Sequence, residues 1–158
     1  MRVKENDIPR IMEIAKEAIT PTWTHGMILE AIDRSDTYFI TLSKNKDGEY
    51  TNAQGAAYIV GFSALRQVGE DGEILQIAVD NDFRKNGYGS EMMENMIAYA
   101  YNNSFKSLFL EVRKSNTSAI HLYKKYGFAI QRTRKNYYTE PIEDAYVMVC
   151  NLNTGENK

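Results

Sequence analysis

A chain of 158 residues is long enough for one well-buried core and short for two. Its 43% hydrophobic and 25% charged content are those of a soluble globular protein, and the longest apolar run, Ala56 to Val60, is too short to cross a membrane. With 19 basic against 21 acidic side chains the net charge of −2 argues against a nucleic-acid partner held by a broad basic field. Met1 to Asp7 contains no apolar signal segment, and the single cysteine, Cys150, permits no internal disulfide. A reducing, cytoplasmic setting fits. Residues 1–152 read as one domain and residues 153–158 as a polar tail that frays.

The elements alternate between helix and strand. Ile8, Ile11, Ile14, Ala15, Ala18 and Ile19 recur at helical spacing behind Asn6 or Asp7 as a cap, and Pro21 stops the run. Thr24 caps a second helix carrying Met27, Ile28, Ala31 and Ile32. Tyr38 to Ser43 and Ala57 to Leu65 are strands, joined as a hairpin by a long polar tip from Asn45 to Gly55. Glu73 to Asp80 is the next strand. After it come a glycine loop and a helix with the stripe Met92, Met93, Met96, Ile97, Ala100 and Tyr101, ending at Asn102 and Asn103. Lys106 to Arg113 is a strand, and Asn116 caps a short helix closed by Gly127 with Phe128 as the apolar residue after it. Phe128 to Asn136 and Glu143 to Leu152 complete a mixed α/β chain. Its middle strands are parallel across a right-handed crossover and its outer ones antiparallel.

The glycine loop carries the strongest signal. Ile77-Ala78-Val79-Asp80 runs into Arg84-Lys85-Asn86-Gly87-Tyr88-Gly89-Ser90 at the start of a helix. A helix N-terminus offers unpaired amides and positive partial charge, and glycine lets a phosphate approach the main chain. The spacing matches neither the nucleoside triphosphate nor the dinucleotide pattern. A glycine turn that only reverses the chain is the alternative.

Two further residues point to proton chemistry. Glu111 is a carboxylate inside an apolar strand, where desolvation raises its pKa above roughly 4.3, the direction a base near neutral pH needs. An ion pair with Arg113, two residues along on the same face, is the competing role, and Glu73 is a rival base. Asn116, Ile120 and Tyr123 share one helix face, so Tyr123 can present its phenol beside Asn116. A phenol is about 1.5 units less acidic than a thiol, so hydrogen bonding to a departing thiolate is easier than full proton transfer. Tyr123 and Tyr126 are otherwise core aromatics.

Taken together, Ile77-Ala78-Val79-Asp80, Arg84-x-x-Gly87-x-Gly89, Leu110-Glu111-Val112-Arg113-x-Ser115-Asn116, Ala119-Ile120-x-Leu122-Tyr123-x-x-Tyr126-Gly127-Phe128 and Arg134-Lys135-Asn136-Tyr137-Tyr138 resemble a known series. From about Val3 to Leu152 the chain is similar to the bacterial ribosomal-protein-alanine acetyltransferases of the GCN5-related N-acetyltransferase (GNAT) superfamily. The resemblance implies the GNAT fold, a central twisted mixed sheet of about seven strands flanked by about four helices. It also implies acetyl-coenzyme A as cosubstrate and no metal; His25 and His121 lack a metal-ligand pattern.

By the same resemblance Glu111 is the general base and Tyr123 the general acid. The main chain of Ile77, Ala78 and Val79 pairs with the pantetheine arm. Arg84, where many relatives carry glutamine, and Lys85, Asn86, Gly87, Tyr88, Gly89 and Ser90 form the pyrophosphate loop, and Asn116 is a coenzyme contact. Tyr137 and Tyr138 lie beside an incoming peptide. Trp23, in a region bordering the acceptor groove, contributes to it or else anchors the second helix.

The implied partner is a protein or peptide amino terminus, a ribosomal protein foremost. A peptide α-amine titrates near 8 and a lysine near 10.4, and the gap of about 2.4 units favours the α-amine. A small amine, a lysine or aminoacyl-tRNA as acceptor, and a coenzyme-binding regulatory domain without transfer activity, are the other readings. The extended hairpin tip departs from the family pattern, and the oligomeric state is not indicated.

Overall fold

The computed structural model describes residues 3–18, 22–45 and 58–152. Ile19, Pro21, most of the hairpin tip between Asn45 and Gly55, and the tail from Asn153 lie outside the described residues. No helix among the described residues is long and apolar enough to cross a membrane.

The helices are α1 (Ile8–Ala18), α2 (His25–Asp33), α3 (Tyr88–Asn102) and α4 (Thr117–Lys125). The strands are β1 (Thr37–Lys44), β2 (Tyr58–Val68), β3 (Asp71–Val79), β4 (Ser107–Arg113), β5 (Ala129–Thr139) and β6 (Ile142–Asn151). They form one mixed sheet in the order β1-β2-β3-β4-β6-β5. β3 runs parallel to β4, while β6 is antiparallel to both β4 and β5. The expected α/β class and the four helices are found. The strand count is six among the described residues, against the about seven that the resemblance implies. Ahead of α1, Glu5–Asp7 forms a 3-10 turn.

Local signals explain most boundaries. Thr24 caps α2 through Met27 N–H at 3.3 Å, and Asn116 caps α4 through Ala119 N–H at 3.2 Å, each satisfying an amide that the first turn leaves open. At the end of α4, Gly127 adopts φ +88°, with its own N–H on the Lys124 carbonyl and that of Phe128 on the Tyr123 carbonyl. That pairing brings the Phe128 ring onto Tyr123 at 5.9 Å between centroids, the apolar contact a left-handed cap favours. Asp7 differs from expectation. It sits in the 3-10 turn, where its carboxylate accepts the Lys4 N–H at 2.8 Å.

The chain packs as two compact units. The first joins Met1–Ala64 to Gln76–Met92. Its core holds Leu42, Val60 and Met92 with Ile77, Val79, Phe83 and Tyr88 against them, and Phe39 stacks on Phe62 at 5.7 Å. Gly61 is required here, because a Cβ at that position would stand 2.8 Å from the Ala78 carbonyl oxygen. The second unit joins Leu65–Leu75 to Met93–Lys158. On β4, Leu108, Leu110 and Val112 are buried and alternate with the less buried Phe109, Glu111 and Arg113, as a pleated strand demands.

Candidate active site

In the first unit, β3 delivers the chain to the glycine loop. The β3–β4 register pairs Gly72 with Leu108 and Glu73 with Phe109, and Ile77, Ala78 and Val79 end β3. Asp80 then caps the 3-10 turn Asn81–Phe83, accepting Asp82 N–H at 2.8 Å, and its other oxygen pairs with Arg10. The loop backbone is unusual at two points, Lys85 at φ +63° and Gly87 at φ +79°. Two side chains hold it so: Arg84 Nε donates to the Val79 carbonyl at 3.2 Å, and Asn86 Nδ2 donates to those of Phe83 and Arg84 at 3.0 and 3.2 Å. Helix α3 follows at once, Glu91 N–H bonding the Gly87 carbonyl at 3.0 Å.

Arg84, Lys85, Asn86 and Gly87 are exposed, and nothing stands within 4 Å of a Cβ built on Gly87. A bare loop at a helix N-terminus fits a diphosphate. Lys44, the last residue of β1, is 2% exposed and carries a charge that the sequence pattern did not single out. Its Nζ lies 3.5 Å from Glu91 Oε2 in the first turn of α3 and 5.2 Å from the Tyr88 ring centroid. Trp23 lies with its ring 6.3 Å from that of Phe62.

In the second unit, β5 carries a bulge. Arg134 opposes Ala145 and Tyr138 opposes Glu143, so four steps on β5 answer two on β6. Asn136 takes φ +52°, which asparagine tolerates, and its N–H donates to Asp144 Oδ1 at 2.9 Å. The bulge re-aims the tyrosine pair. Tyr137 and Tyr138 meet edge to face at 5.1 Å, and the Tyr137 hydroxyl lies near the Glu111 carboxylate. Interaction with that carboxylate, with burial second, raises the Tyr137 pKa.

The ion pair expected between Glu111 and Arg113 is not the one formed. Glu111 pairs with Arg134, whose Nε is 3.3 Å from Oε1, whereas Arg113 reaches Glu143 at 3.3 Å and the carbonyls of Glu140 and Pro141. Its guanidinium also covers the Tyr138 ring at 4.2 Å. The long arginine side chains reach across the sheet to these partners instead of along β4, although the i, i+2 neighbour is nearer in backbone distance. Glu143 accepts from Ser115 Oγ and N–H as well, and those bonds, with Arg113, hold its carboxyl below the usual range. Glu73, the rival base, is held by Arg66 at 2.5 Å.

Tyr123 is 8% exposed. Burial, and next the neighbouring Tyr138, push its pKa well above that of a free phenol. Tyr138 is likewise raised by burial and by Glu111, to about 12. Asn116 spends its carbonyl oxygen on the α4 cap. Burial also raises the Cys150 thiol, whose sulfur donates to the Tyr126 carbonyl at 3.5 Å. The structure thus gathers Glu111, Tyr137 and Tyr138, sets Tyr123 next to Tyr138, and adds Arg134, which the sequence presented only as a letter in a motif.

A model of the acetyltransferase (GNAT) family matches residues 8–128. This chain belongs to that family. It is accordingly an acetyl-coenzyme A-dependent N-acetyltransferase. The chain is 30% identical over 156 residues to the ribosomal protein bS18-alanine N-acetyltransferase of Haemophilus influenzae, covering 96% of this chain and 97% of that one. It is 30% identical over 150 residues to an N-alpha-acetyltransferase of Sulfurisphaera tokodaii, covering 92% and 88% respectively. The crystal structure of the ribosomal-protein-S18-alanine N-acetyltransferase of Escherichia coli superimposes with a TM-score of 0.83 at 27% identity, over 100% of this chain and 96% of the other. The GNAT fold and the resemblance to ribosomal-protein-alanine acetyltransferases are both borne out.

Proposed function

We propose that this GNAT enzyme acetylates the amino-terminal α-amine of a protein in the cytoplasm, a ribosomal protein being the foremost acceptor. The observation that carries the reading is the placement of Glu111 beneath the tyrosine pair of the β5 bulge, where a carboxylate can take a proton and two rings can line an incoming peptide. Likeness to α-amine and ribosomal-protein-alanine acetyltransferases over nearly the whole chain supports it.

The cosubstrate, acetyl-coenzyme A, supplies a thioester carbonyl. Arg84 to Ser90 and the start of α3 bind its diphosphate, with Ile77, Ala78 and Val79 offering main-chain groups to the arm and Asn116 an amide contact. Glu111 receives the proton of the acceptor amine, directly or through an ordered water. Tyr123 donates a hydrogen bond to the departing sulfur. Its upward-shifted pKa widens the gap to a thiol near 8.5, which favours donation without proton release. Trp23, Tyr137 and Tyr138 line the acceptor, and Cys150, buried and protonated, takes no part.

The test is a panel of amino-terminal peptides, lysine peptides and polyamines incubated with acetyl-coenzyme A, with the modified atom located by mass spectrometry. Transfer to the α-amine of peptides beginning with Ala is expected. Transfer confined to lysine side chains or polyamines would replace this reading.

A further inference from the structure

We propose that Arg134 sets which charge state of the acceptor amine the site takes up, by neutralising Glu111 before the acceptor arrives. The inference rests on the amino-terminal reading above and deepens it. Across the sheet, Glu111 opposes Val147, which opposes Arg132, while Arg113 opposes Ala145, which opposes Arg134. Directly paired residues share a face, so these side chains project together. Arg134 and Glu111 are thus held by strands about 10 Å apart, with β6 between them. Ala145, fully buried on that middle strand, presents only a methyl group to the long arginine passing over it.

The contact has the character of a charge balance more than of a fixed bond. Nε of Arg134 lies 3.3 Å from Glu111 Oε1, is buried, and makes no hydrogen bond among the described residues. The side chain as a whole is 40% exposed, and its guanidinium leans toward the Tyr137 ring, 5.4 Å from the centroid. It can swing to water without burying an unpaired charge. Nearby carboxylates of the second unit are paired as Glu111 is, Glu73 with Arg66 and Glu143 with Arg113, and Arg132 adds a further positive charge on the face that Glu111 shares. Tyr123, Tyr137 and Tyr138 remain neutral phenols beside them, with pKa values raised.

An ammonium approaching this site meets a carboxylate whose charge is already answered, and gains little. An uncharged amine needs only a hydrogen-bond acceptor, which Glu111 still offers. Without Arg134 the lone carboxylate would attract the ammonium and hold it in the form that has no lone pair to attack the thioester. Arg134 is a positioning residue in this scheme, since it acts through Glu111.

The experiment compares a peptide beginning with alanine with the same peptide beginning with lactate, whose hydroxyl carries no charge. Affinities for the two are measured by calorimetry in the presence of coenzyme A, for the wild type, Arg134→Gln and Arg134→Lys. Arg134→Gln is expected to increase the preference for the ammonium peptide about tenfold, and to lower kcat on the alanine peptide by a similar factor without raising KM. Arg134→Lys keeps the charge and should restore both. An unchanged preference in Arg134→Gln, or a lysine variant that behaves like the glutamine one, overturns the proposal while the wild type still acetylates the peptide. A wild type that acetylates no amino-terminal peptide overturns the acceptor reading and this inference with it.

Discussion

The Glu111 carboxylate lies close enough to the Tyr137 hydroxyl to raise its pKa. That relation sets the bulge of β5 beside β4, two strands that are not neighbours in the sheet, and puts a phenol near a carboxylate that Arg134 also pairs with.

Replacing the carboxylate should therefore separate chemistry from binding. Glu111→Gln keeps the shape and a partner for Tyr137 but cannot accept a proton. Turnover of an alanine-starting peptide should fall about a hundredfold or more, while coenzyme A affinity by calorimetry holds. Tyr137→Phe, which frees the carboxylate on one side, should cost nearer tenfold. Wild-type turnover in Glu111→Gln would hand the proton to water alone or to Glu73, whose ion pair with Arg66 would then have to open.

The loop can be tested through its backbone. Gly87 has φ +79° and open space where a Cβ would stand, so alanine there meets no neighbour and pays only the left-handed penalty of about 1–2 kcal/mol. Coenzyme A should bind roughly tenfold more weakly to Gly87→Ala while the fold, followed by circular dichroism, is retained. Full affinity in the folded variant would mean that the diphosphate does not lie against this stretch of main chain.

How much of this was legible beforehand depended on range. The caps at Thr24 and Asn116 and the left-handed turn at Gly127 are set by residues three to five apart, and the sequence displays them directly. Glu111 was visible as a charge among apolar alternation. Its partner was not, because Arg134 is brought to it by a register across β6 and by a bulge whose extra residues leave only an asparagine as a local trace. Lys44 was hidden for a similar reason: it closes a strand like any exposed lysine, and only the packing of α3 buries it against Glu91. Tyr123 was open between two roles, and its burial serves both, since a packed ring can still aim one hydroxyl.

Gly61 offers a stability test away from the chemistry. A Cβ there would stand 2.8 Å from the Ala78 carbonyl oxygen and 3.0 Å from the Met92 methyl group. The backbone oxygen cannot step aside as a side chain could. Gly61→Ala should lower stability by about 1–3 kcal/mol, read as a fall in the urea midpoint at constant slope. An unchanged midpoint would show that β2 and β3 can part by several tenths of an ångström at little cost.

The raised phenols predict how stability responds to alkali. Tyr123 and Tyr138 are protonated in the native state well above the pH near 10 at which an unfolded tyrosine ionises. Above that pH the unfolded chain has released protons that the native one still holds, so unfolding is favoured. The contribution of each ring is complete below about pH 10 and declines as pH rises, through about 12 for Tyr138 and beyond that for Tyr123. Urea unfolding followed from pH 9 to pH 11.5 should show a falling free energy. Tyr123→Phe should flatten the slope by up to about one proton, and Tyr138→Phe, half-buried and partly screened by water, by less. Every other group is common to the variants, so the difference from wild type isolates the tyrosine replaced. Parallel slopes for wild type and Tyr123→Phe would mean that the Tyr123 hydroxyl reaches solvent, and would remove the burial on which its proposed role as a non-ionising donor depends.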